Sequence, residues 1–176
     1  MKAQKIAITG ILAAVICLLA PLSIPVGAVP VSLATFAVCL TACTVDPKRA
    51  ASATAIYILL GMAGLPVFSS FRGGFHVVAG VTGGYIIGYV PCALTVSLLT
   101  EKFGEKNYIY PLSMAIGTLE CYLIGTLWYA VQADVAFTQA LSVCVLPFVI
   151  GDIIKITAAS ALAITLKKHK IRSVFK

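Results

Sequence analysis

Six apolar runs divide this chain, at about residues 6–24, 32–45, 50–65, 77–99, 108–131 and 140–166, and basic residues collect at every second junction. Lys2 and Lys5 precede the first run, Lys48 and Arg49 follow the second, and Lys102 and Lys106 follow the fourth. Lys167, Lys168, Lys170, Arg172 and Lys176 follow the sixth, whereas the alternate junctions carry only Arg72. A run of about 20 apolar residues can cross the ~30 Å hydrocarbon layer as a helix, and an excess of Lys and Arg marks cytoplasmic loops. The pattern predicts an all-α integral membrane protein of six transmembrane helices with cytoplasmic N- and C-termini. An odd number of spans would scatter these charges over both faces. Residues 1–176 are expected to form one domain, since the length calls for no more.

Composition agrees with that reading. The chain is 60% hydrophobic and 11% charged, with a mean hydropathy of +1.03, well outside the usual balance of a soluble domain. No small-residue cleavage site follows the first run, which is therefore expected to be retained as a span. The net charge of +7 sits at the ends of apolar runs and describes topology, not a nucleic-acid surface. Cys17, Cys39, Cys43, Cys92, Cys121 and Cys144 are scattered through the apolar runs, and His76 and His169 lack a second ligand at metal-binding spacing. We expect neither metal nor cofactor. Nor does the sequence contain a zincin, nucleophile-elbow or phosphate-loop pattern, so no catalytic residue is assigned.

Residues 64–89, GLPVFSSFRGGFHVVAGVTGGYIIGY, are too rich in glycine to be one simple span. Glycine permits positive φ and close backbone approach, and irregular backbone at membrane depth is tolerated only where it is buried in protein or lines a cavity. The second apolar run, residues 32–45, would make a helix of about 21 Å, shorter than the membrane is thick. Pro21, Pro25, Pro30 and Gly27 forbid a regular helix ahead of it. Short spans and broken loops together predict a depression on the extracytoplasmic side, with Arg72 at its rim.

The last run is the other informative one. Pro147 suits a helix's first turn, and Asp152 and Lys155, three residues apart, share one face, with Asp152 about 7.5 Å below the helix start. Ionisable groups at such depth face the protein interior or a wet cavity and mark a functional site by default. Glu120 lies in the fifth run without an obvious partner and receives no role. Trp128 and Tyr129 are either an interfacial belt or a stacking wall.

Four blocks carry a resemblance. Val29-Pro30-Val31-Ser32-Leu33, the stretch from Tyr57 to Phe68 (YILLGMAGLPVF), Arg72-Gly73-Gly74 and Gly80-Val81-Thr82-Gly83-Gly84-Tyr85 occur in the order and spacing of the BioY family. The late run from Leu146 to Lys155 (LPFVIGDIIK) is similar to that family's closing motif. Where the family usually has Pro before the T/S-G-G-Y block this chain has Val81, and where it often has Gln in the early run this chain has Ala34. Members are biotin-binding membrane subunits, the S components of energy-coupling factor (ECF) transporters.

The resemblance implies a six-helix S-component fold in the bacterial cell membrane. It also implies partnership with a transmembrane coupling protein and two ATP-binding cassette ATPases, and capture of biotin at the outer side for inward release. A riboflavin or thiamine S component would share the fold. On the matching positions, Asp152 is expected to accept ligand N–H groups while Lys155 keeps it ionised and donates to ligand oxygen. Tyr85 is expected to supply a wall and a hydroxyl, Arg72 to meet the ligand carboxylate, and Gly74, Thr82 and Gly83 to shape close backbone contact.

Overall fold

The computed structural model describes residues 2–24, 29–104 and 106–168, and it is a helical bundle. Helix α1 (Lys2–Leu19) leads through short antiparallel strands β1 (Ser23–Ile24) and β2 (Val31–Ser32) into α2 (Ala34–Ala42) and α3 (Pro47–Met62). A 3-10 turn at Ser69–Phe71 and the short α4 (Phe75–Ala79) precede α5 (Gly83–Phe103), α6 (Ile109–Gln132), α7 (Phe137–Cys144) and α8 (Leu146–Lys168). Three of these helices, α5, α6 and α8, are long and apolar enough to cross a membrane, and Ala3–Leu19 is a shorter apolar helix. Their outer faces carry large exposed apolar side chains, among them Leu119 at 64% and Ile150 at 73%. Such a belt would be untenable around a water-soluble monomer. The chain is a multi-pass membrane protein.

Helix α2 is the centre of the bundle. Ala34, Ala37, Val38, Cys39 and Ala42 are all buried, and α2 packs on α1, α3, α5 and α8. It is shorter than the apolar run predicts: nine residues, about 13.5 Å at 1.5 Å each, not fourteen. Its start is fixed where Ser32 Oγ accepts from the Ala34 N–H at 3.3 Å and the Leu33 N–H donates to Leu22 O at 3.0 Å. Beyond its end, Thr44 Oγ1 donates to Thr41 O at 2.7 Å. The space above this stunted helix is closed by β1–β2, the 3-10 turn and α4.

The fourth run also differs from expectation. It divides into α4 and α5, because Gly80 and Thr82 interrupt the helix between Ala79 and Gly83. The sixth divides into α7 and α8, with Pro147 in the first turn of α8 as expected. Pro25 and Gly27 of the proline-rich segment, His169, and the basic residues Lys170, Arg172 and Lys176 lie outside the described residues.

At the opposite end the turns are tight. Asp46 caps α3, its carboxylate accepting from the Arg49 N–H at 2.9 Å and from the Arg49 guanidinium at 2.9 Å. Pro47 follows at the first helical position, where its missing N–H costs nothing. Burial pushes the Asp46 carboxyl up, but the Arg49 N–H, the Arg49 guanidinium and Lys5 outweigh it and hold the carboxyl below its ordinary range. A carboxyl lowered on folding adds stability above its unfolded pKa, ~3.9, and loses that contribution as pH falls through the folded value. Asp46→Ala is therefore expected to lower stability at neutral pH by about 1 kcal/mol, the usual cost of losing such a cap. In thermal unfolding in detergent, the gap between the two proteins should narrow below about pH 4.

Candidate functional site

The end of the bundle away from the basic turns holds a cavity with about 590 Å³ of empty space counted out to its open mouth. Val29, Pro30, Phe68, Ser69 and Arg72 line it from the loops, Thr35 from α2, Thr82 from the α4–α5 turn, Tyr85, Ile86 and Tyr89 from α5, and Cys121 and Tyr122 from α6. Cys144, Phe148, Asp152 and Lys155 complete the wall from α7 and α8.

Helix α8 carries the charged part of the wall. Asp152 and Lys155, with side chains only 8% and 12% exposed, form an ion pair between Oδ1 and Nζ. Protein atoms meet most of their hydrogen-bonding capacity. Lys155 Nζ also donates to the carbonyl of Ser32 in β2 at 2.9 Å and to Thr35 Oγ1 in the first turn of α2 at 3.2 Å. The Thr35 hydroxyl donates onward to Asp152 Oδ1 at 3.4 Å. From α6, Tyr122 donates its hydroxyl to Asp152 Oδ2. One ion pair thereby ties together β2, α2, α6 and α8. A smaller crevice of about 180 Å³ lies among Phe36, Cys39, Thr118, Ile156 and Ala159, and Thr35, Asp152 and Lys155 line it as well as the cavity.

The aromatic part of the wall is held by close packing. The Tyr85 hydroxyl shares a hydrogen bond of 3.1 Å with Thr126 Oγ1, and a Cβ at Gly125 would stand 2.3 Å from the Tyr85 ring. Phe68 is almost fully buried and meets Tyr57 edge-on at 5.6 Å. Phe71 and Phe75 are exposed, at 63% and 64%, and do not line the cavity.

Of the residues singled out from the sequence, Arg72, Thr82, Tyr85, Asp152 and Lys155 all line one cavity. Arg72 is exposed at the mouth, its Nε donating to Ser69 O at 3.3 Å. Gly74 and Gly83 are not lining residues, and packing explains both. Gly74 has φ +104, and its N–H donates to Gly61 O at 2.7 Å. A Cβ at Gly83 would stand 1.7 Å from Val78 O, so only glycine lets α5 start against α4.

Sequence reasoning did not single out Tyr122 or Thr35. The signal available was the requirement that a buried ion pair have further hydrogen-bonding neighbours. Glu120 faces α5, not the cavity, and accepts from Thr95 Oγ1 at 2.7 Å. Trp128 is neither a free belt residue nor a cavity wall: its indole N–H donates to Gly80 O at 2.9 Å, and Gln132 donates to Ala79 O at 3.2 Å, so α6 holds the turn that carries Thr82.

Comparison with known proteins gives a consistent picture. The model of the BioY family matches residues 1–172. A biotin transporter BioY of Thermotoga maritima is 37% identical over 163 residues, covering 92% of this chain and 95% of that protein. A probable biotin transporter BioY of Pyrococcus horikoshii is 36% identical over 163 residues, covering 93% and 96%. Among solved structures, the S-component for biotin from an ECF-type ABC transporter superposes with a TM-score of 0.88 over 95% of this chain and 92% of that one, at 22% identity. That likeness establishes the fold.

The Trp128 indole is one of two side-chain ties from α6 to the mouth loop. Trp128→Phe should cost about 1 kcal/mol, the net worth of one hydrogen bond. Amide exchange at Gly80 to Gly84 should speed up while that of α8 is unchanged.

Proposed function

Because this chain belongs to the BioY family, we propose that it is the biotin-binding subunit, the S component, of an ECF-type vitamin uptake transporter. The observation that carries the proposal is the buried Asp152–Lys155 pair facing an open, otherwise mostly apolar cavity. Biotin offers a ureido ring with two N–H donors and a carbonyl, an apolar thiophane, and an aliphatic tail ending in a carboxylate. The Asp152 carboxylate accepts a ureido N–H in a charge-assisted bond, stronger than a neutral one. Tyr85 and Phe68 supply apolar wall, and Thr82 a hydroxyl near the mouth. Arg72, with most of its guanidinium donors unspent on protein, meets the tail carboxylate in the bidentate geometry that suits the two groups. Gly74 and Gly83 act indirectly by fixing the backbone around α4 that frames the mouth. No observation favours riboflavin or thiamine.

In this reading α1, the segment of β2 and α2, α3, α5, α6 and α8 make six passes of the cell membrane. The basic turns and both ends face the cytoplasm by the Lys/Arg rule, and the cavity opens outward. Support comes from the placement of Lys48 and Lys102 at the ends of helices remote from the cavity. Energy for inward release must come from other subunits, since the sequence has no phosphate-binding G-x-x-x-x-G-K-[ST] run. A transmembrane coupling protein and two ATPases fill that need. The chain itself is a carrier subunit, not an enzyme.

Biotin added to the purified protein in detergent should raise its unfolding temperature, the stabilisation reaching about 2.7 kcal/mol at a hundred times Kd. Asp152→Asn keeps the shape but removes the charge, and should weaken binding more than tenfold, about 1.4 kcal/mol, by calorimetry. No stabilisation of the wild type by biotin, or wild-type affinity in the variant, would refute the assignment.

A further inference from the structure

The hydrogen-bonding capacity of the Asp152 cluster leaves one ligand group unanswered. An ammonium has three donors, and those of Lys155 go to Asp152 Oδ1, Ser32 O and Thr35 Oγ1. Lys155 therefore has no N–H left for a ligand carbonyl and acts as a positioning residue for Asp152. A carboxylate has about four acceptor sites. Among the described residues, Lys155 and Thr35 occupy Oδ1 and Tyr122 occupies one site of Oδ2, which leaves Oδ2 a further acceptor site. Tyr85 shares its hydroxyl with Thr126, whereas Tyr122 lines the cavity and its hydroxyl is bonded to that same Oδ2.

Resting on the reading of the site as a biotin pocket, we infer that Tyr122 reads the carbonyl of the ligand's cyclic urea. In a five-membered cyclic urea each N–H lies beside the carbonyl on the same edge, so the edge presents a donor and an acceptor side by side. The matching protein edge is an acceptor beside a donor, which is what Asp152 Oδ2 and the Tyr122 O–H form. In the structure that O–H donates to Asp152. On binding it turns to the ligand carbonyl, and the ligand N–H takes its place on the carboxylate. The phenol hydrogen moves by rotation about its C–O bond, with no net proton transfer. The Asp152–Tyr122 pair thus holds a donor that a ligand with this edge can claim.

The test is a cycle between protein and ligand. Kd is measured by calorimetry for wild type and Tyr122→Phe with biotin and with 2-iminobiotin. The latter carries, in place of the carbonyl oxygen, a nitrogen that is protonated at neutral pH and cannot accept. Tyr122→Phe should weaken biotin more than tenfold and 2-iminobiotin less than threefold. Equal losses for both ligands would mean that Tyr122 only supports Asp152, and no loss for biotin would remove it from the site; either result overturns the inference while leaving the transport reading intact. Absence of biotin binding by the wild type overturns both. Should Tyr122→Phe not yield folded protein, replacing Tyr122 with 3-fluorotyrosine keeps the size and makes the hydroxyl a stronger donor. Biotin should then gain affinity relative to 2-iminobiotin, and an unchanged ratio overturns the inference.

Discussion

Charge buried in a lipid-embedded bundle must be answered by the protein itself, and the rest of this structure is arranged around that requirement. Removing two ions from water costs several kcal/mol each even after relaxation, and attraction between them offsets this only when their remaining hydrogen bonds are met. Here the answering groups are the Ser32 carbonyl, the Thr35 hydroxyl and the Tyr122 hydroxyl. They come from three elements other than α8. The first turn of α2, the end of β2 and the middle of α6 are consequently fixed against α8 by one polar cluster.

The short α2 and the glycine-rich loop make room for that cluster to meet a solute. A full-length α2 would fill the space that the cavity occupies. Instead its first turn ends beside Asp152, and the loop residues Phe68, Ser69 and Arg72 stand over it. The 3-10 turn that carries Ser69 is bound back to the segment after α1, with the Ser70 N–H donating to Pro21 O at 3.0 Å and to Ser23 Oγ at 2.9 Å. From the other side, Trp128 and Gln132 hold the turn before α5.

Much of this was legible in the sequence, for physical reasons that differ from residue to residue. Asp152 and Lys155 stood out because charge is rare in apolar runs, and the glycine-rich stretch because glycine marks places where backbone must bend or come close. Tyr122 and Thr35 did not stand out, since a tyrosine or threonine in an apolar helix has many uses and its partner lies 30 or 117 residues away. The ends of α2 were misjudged by apolar run length, because the bond from the Ala34 N–H to Ser32 Oγ and the pairing of β1 with β2 are local hydrogen bonds to which hydropathy is blind. Glu120 found its partner in Thr95 of α5, a pairing across helices that spacing along one chain does not reveal.

The crevice beneath the cavity has a consequence of its own. Thr35, Asp152 and Lys155 form its roof as well as part of the cavity wall, so the polar cluster is a septum and the cavity a cul-de-sac. A solute admitted at the mouth meets that bonded cluster in the cavity wall.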